Sequence, residues 1–171
     1  MSPTDERYPG KRAPSAAIGQ AYNLLHSLRW AALGTLQDHR PYVSMVAYAP
    51  MPDHSCILHL SRLAVHTRYL HTNQNISLCI SESDQHNGDP HTLSRLTLTG
   101  TAHPLTSGSD EYRMARDRYL THLPDTCHLF ELGDFTLFRV VPDTLRFIGG
   151  FGQAFSLSTS ELDAAGKVSQ A

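Results

Sequence analysis

Lysine is nearly missing from this chain: Lys11 and Lys167 are the two among 171 residues, and Lys and Arg together number 14 against 16 Asp and Glu. The formal net charge is −2 and the pI is near 6.6. A nucleic-acid surface needs clustered cations to neutralise phosphate, so that class is excluded as the main activity. The positive charge present is almost all arginine, whose planar fork favours bidentate contact with an anion over a diffuse basic field. Cysteine is scarce too. Cys56, Cys79 and Cys127 lie far apart with no C-x-x-C pair, which reads as reduced, mostly buried thiols. No apolar run reaches the length of a membrane span, and Met1–Lys11 is polar with no signal-peptide core. The expected address is the cytoplasm, with no membrane partner.

The common catalytic signatures are also missing. No G-x-G-x-x-G follows a strand, no P-loop occurs, and no G-x-S-x-G orders the many serines and histidines. The 11 histidines form no H-E-x-x-H, no H-x-H and no zinc spacing, so no metal site is expected from them. What remains is an ordinary globular composition, 40% hydrophobic and 18% charged, of a length that suits one domain.

Along the chain, residues 1–14 carry prolines among polar residues and read as a flexible arm. Ser15 is a good N-cap for a helix to about Arg29, with Ile18, Ala21, Leu25 and Leu28 on one face. Trp30–Leu36 and Pro41–Ala49 read as a hairpin about the polar turn Gln37-Asp38-His39-Arg40. Cys56–Leu60 is a third strand, Leu63–His71 a short helix and Ile76–Ser81 a fourth strand. Ser94–His103 alternates cleanly, with Gly100 suggesting a bulge or a close backbone approach. A charged helix over Ser109–Leu123 ends at Pro124. Phe135–Val141 and Leu145–Ile148 are strands about a turn at Pro142-Asp143, and the tail from Ser156 is expected to be loose. The domain proper is thus 15–155. Short antiparallel strands with three helices predict a mostly β fold, a split or closed β-barrel with helical decoration.

The most informative stretch is Leu58–Leu70, where a strand runs straight into a short helix with Ser61, Arg62, His66, Thr67 and Arg68 at the junction. Helix amides, hydroxyls and a guanidinium there make an anion site; the plainer reading is a capped helix with solvated Arg and His. Arg95 on the polar side of its strand, and Ser44 between Tyr42 and Val46, are open in the same way: solvated or ladder-satisfied, or facing a ligand.

In order, the segments AALGTLQDHRPYVSMVAYAP, LHLSRLAVHTRYL, SRLTLTGTAHPL, a charged helix and GDFTLFRVVPDTLRFIGGFGQA resemble the FMN-binding split-barrel superfamily of pyridoxamine 5′-phosphate oxidases. The branch related to haem-utilisation proteins is the nearest match. The resemblance implies an FMN-dependent oxidoreductase, a homodimer with FMN at its seam. It places Ser44, Met45 and Val46 on the second-strand flavin segment, Leu60 and Ser61 on the third, and His66 where the oxidases carry a cation. With those cations replaced, Arg68 or Arg95 must supply charge, and His66 and Thr67 hydrogen bonds. The alternative that the branch implies is haem binding or haem degradation, or a carrier or sensor without catalysis. Longer members bring a haem histidine in a C-terminal extension, whereas no histidine follows His128 here.

Overall fold

A two-residue turn decides how the chain begins to pair. In the computed structural model, which describes residues 12–86, 88–150 and 152–169, β1 (Trp30–Gln37) and β2 (Arg40–Pro50) are antiparallel with Gln37 opposite Arg40. Asp38 and His39 between them have φ of 48° and 65°. Two successive left-handed residues give the primed turn whose twist suits tight hairpins, and Asp and His tolerate that region better than branched residues.

The other elements are α1 (Ser15–Ser27), β3 (Cys56–Ser61), α2 (Val65–Thr72), β4 (Asn75–Ser81), β5 (Arg95–Pro104), α3 (Asp110–His122), β6 (Phe135–Ile148), β7 (Ala154–Leu157) and α4 (Thr159–Ser169). Strand order is β3-β2-β1-β4-β5-β6-β7, and β3 also pairs β6, closing six antiparallel strands into a barrel with β7 added on β6. Alternation along each strand sends Leu33, Val46, Leu58, Leu78, Leu98 and Phe138 inward, where all are essentially buried. Helix α1 adds Ala21 and Leu25 to that core, and the buried Tyr48 hydroxyl donates to the carbonyls of Leu24 and Leu25. A second, smaller core lies outside the barrel, where α3 lays Ala115, Tyr119 and Leu123 over Ala49, Ile57 and Leu137. The expected mostly β barrel with helical decoration is what forms.

Several local expectations differ in part. Ser15 is the first helical residue rather than the cap; Pro14 holds that position, without a side-chain bond, as its fixed φ allows. Pro124 ends α3 but also opens a 3₁₀ stretch to Glu131. Pro142-Asp143 makes no turn: β6 is one strand of 14 residues. Its register against β5 slips where Gly100 faces Pro142, an approach that requires glycine, since a Cβ there would lie 2.0 Å from the Val141 carbonyl oxygen. The tail is not loose through its described part, which forms β7 and α4 and buries Leu162 completely. Of the N-terminal arm, residues 1–11 lie outside the described residues, and Ala13 is already buried. Of the three thiols, Cys56 is buried, Cys79 half-buried and Cys127 exposed. No helix among the described residues is long and apolar enough to cross a membrane.

Candidate functional site

The strand-to-helix junction is built by Ser61. Its hydroxyl accepts from the Leu63 amide at 3.1 Å and donates to the Asp134 carboxylate at 2.5 Å, while the Arg62 amide donates to the Asp134 carbonyl. The Arg62 guanidinium reaches the Gly133 carbonyl at 2.5 Å. These bonds turn the chain sharply into α2, which packs on β1 and β2 through the buried Thr67 and Leu70.

Two rungs then join α2 to β2. Ser44 Oγ and His66 Nδ1 stand 2.9 Å apart, and the Tyr42 and Tyr69 rings meet edge to face at 5.6 Å. The spacing follows from the elements: residues two apart share a strand face and residues three apart share a helix face. Burial pushes His66 below the usual imidazole pKa. Thr67, wholly buried beside it in sequence, has a hydroxyl with no hydrogen-bond partner.

The candidate residues therefore separate. Ser44 and His66 come together, with Thr67 next in the chain. Val46 and Leu60 are barrel core, Met45 is exposed on the outer sheet face, and Arg68 is exposed on α2. Arg95 is not brought to them. Its strand β5 is three places from β2 in either direction round the six-stranded barrel, and its guanidinium donates to the Leu93 carbonyl. The depressions of about 500 and 600 Å³, lined in part by Trp30 and Ala47 and by Leu24 and Ser94, include none of these side chains.

Sequence reasoning passed over a second constellation. His26 Nε2 stands 3.1 Å from His54 Nδ1, and His54 Nε2 stands 3.0 Å from Asp163 Oδ1, so α1, the β2–β3 turn and α4 meet in one chain of bonds. Tyr22 stacks on His26 at 4.3 Å. Burial, then the nearby His54, pushes His26 down to about 4. His54 has φ 64° in a turn, which no local pattern announces. His59, 7% exposed, stacks on Phe130 at 3.9 Å, has no partner for Nδ1 and is pushed down to about 4 by burial. Among the described residues no group of three His, Cys, Asp or Glu is arranged to hold a bare metal ion.

The chain as a whole is similar to proteins already known. The chain is 36% identical over 115 residues to the chloroplastic heme oxygenase HOZ of Arabidopsis thaliana, an alignment covering 67% of this chain and 34% of that protein. It therefore spans about a third of that relative's length. It is 27% identical over 124 residues to heme oxygenase HutZ of Vibrio cholerae, covering 72% of this chain and 70% of the other. The fold also matches the solved structure of a heme-binding protein from Mycobacterium smegmatis, with a TM-score of 0.75 at 24% identity, covering 90% of this chain and 62% of that one. The expected resemblance, a split barrel with haem-utilisation proteins among the proteins it is similar to, is what the comparisons return.

FMN as the cofactor does not hold. The relatives carry heme-oxygenase names; of the contacts expected for the FMN phosphate, the Ser61 hydroxyl is committed to a carboxylate and Arg95 lies across the barrel. The family model described as "CREG, beta-barrel" matches residues 13–162, and the chain belongs to that family.

Proposed function

We propose that this protein binds haem. The observation that carries the reading is the pair of relatives named as heme oxygenases, aligned over 67% and 72% of this chain. The residues present suit the group. Haem iron takes an imidazole nitrogen, and His66, on the α2–β2 shelf, has its Nδ1 held at 2.9 Å from Ser44. The hydroxyl of Thr67 is a buried polar atom without a partner beside it in sequence. Of the candidate residues, Ser44, His66 and Thr67 are carried into this reading. A homodimer is part of it: Trp30, Val43 and Met45 are 56%, 65% and 50% exposed on one outer sheet face, apolar area that a second copy would cover. The free thiols support a reducing compartment, the cytoplasm.

Oxidative opening of the macrocycle is the second reading, favoured by the HutZ alignment, which covers 70% of that protein. The test is a titration of the purified chain with ferric haem. Saturation at one haem per chain with a sharp Soret band is expected, followed by loss of that band when a reductant and oxygen are added. No saturable change in the Soret region would sink haem binding; a stable Soret band under reductant and oxygen would sink the second reading alone.

A further inference from the structure

The histidines of this chain differ in what their ring nitrogens are doing. His26 and His54 hold each other, and His54 also holds Asp163. His122 Nε2 is bonded to the Leu28 carbonyl and His103 Nε2 to Thr101. His59 is flat against Phe130 in a closed cluster with Tyr119 and Phe135. His91 is oriented by Asp89 through Nδ1, but its side chain is 81% exposed, without a dry wall. His66 alone of these combines a fixed ring, a half-buried position and an Nε2 without a partner among the described residues.

We propose that His66 is the axial ligand to haem iron and that Ser44 is the residue that positions it; this rests on the haem reading above. With the proton on Nδ1 donated to Ser44 Oγ, the Nε2 lone pair is free for the metal. That is the usual division of labour in a ligating histidine, one nitrogen on the metal and the other held by an oxygen. The ring would offer that lone pair to the iron, and no redox change is required. The rung below supports the arrangement. Tyr42 and Tyr69, packed edge to face, set the distance between β2 and α2 and give the shelf an aromatic wall. The Ser44 hydroxyl keeps a hydrogen of its own to donate, so the ring is held without being charged.

The experiment titrates ferric haem into the full chain and records the Soret band and, after reduction, the iron–histidine stretch by resonance Raman. The variants are His66→Ala, Ser44→Ala and, as a control on the same helix, His71→Ala. We expect His66→Ala to weaken binding at least tenfold and remove the iron–histidine stretch, and added imidazole to restore the parent spectrum. Ser44→Ala should still bind, with a shifted stretch and affinity lower by about ten-fold. His71→Ala should match the parent. If His66→Ala fails to fold, His66→Gln keeps a polar group toward Ser44 and removes the ligand. A parent that binds haem with His66→Ala unchanged overturns the assignment and leaves the haem reading standing. Loss without rescue by imidazole marks a packing role and also overturns it. A parent that binds no haem overturns both.

Discussion

Among single residues, His59 shows how a side chain can tie stability to pH without touching a ligand. Its ring lies in the small outer core, stacked on Phe130, whose ring also has the Arg116 guanidinium 5.2 Å from its centroid. Burial pushes its pKa from 6.5 down to about 4. Between those values the unfolded chain binds a proton that the folded chain refuses, so stability is whole above about 6.5 and falls as pH drops toward 4. The loss from this one group is about 2–3 kcal/mol. His26 responds in the same window, so His59→Phe should shrink the acid sensitivity without abolishing it. Urea unfolding between pH 7 and pH 4 measures this, and an unaltered slope would refute it. Gly100 is a second residue with a single cause. Gly100→Ala sets a methyl against the Val141 carbonyl and should cost about 2–3 kcal/mol, read as a lower Tm; a neutral outcome would mean the bulge can relax.

At the scale of elements, α4 teaches most, because its start is written locally and its docking is not. Ser158-Thr159-Ser160-Glu161 is a capping box: the Ser158 amide donates to Glu161 Oε2 at 2.8 Å, and the Glu161 amide donates back to Ser158 Oγ at 3.3 Å. That signature was legible in a tail whose Ser, Ala and Gly content suggested disorder. The bond from His54 to Asp163 spans 109 residues, and no periodicity reports such a contact. Asp163→Ala should leave the barrel intact and loosen α4, raising amide hydrogen exchange over 159–169 roughly tenfold. Unchanged exchange there would mean that Leu162 alone holds the helix. The β3–α2 junction lies between these cases. Its strand-into-helix course was readable from Leu58–Leu70, but the Asp134 that occupies Ser61 comes from 73 residues away.

For the whole molecule, closure of the barrel leaves one apolar sheet face uncovered. Ala32 pairs Met45, Gly34 pairs Val43 and Trp30 pairs Ala47, so these side chains share the outside of β1 and β2. A second copy on that face should give a mass of two chains in light scattering. Val43→Asp with Met45→Asp should yield one chain without loss of secondary structure, since neither side chain enters the barrel core. A parent that runs as a monomer would refute the pairing.

Local pattern in the sequence was enough for β1 to β5, the first hairpin and the course of α2, because each depends on alternation, turn chemistry or helical spacing within about ten residues, whereas β6 reads as two strands and β7 as part of a loose tail. That Val46 and Met45 lie on opposite sides of β2 follows from the pleat, while which side enters the core was decided by the fold. The tertiary structure decided the rest. Which strands stand opposite one another is set by the β3–β6 pairing, and that single closure removes Arg95 from the company of Ser44 and His66. It also draws Pro142 into a continuous strand, where Gly100 makes room for it, and brings Asp134 and Asp163 to partners far away in the chain. Side-chain chemistry is local, but the company that a side chain keeps is fixed by barrel closure and long-range docking.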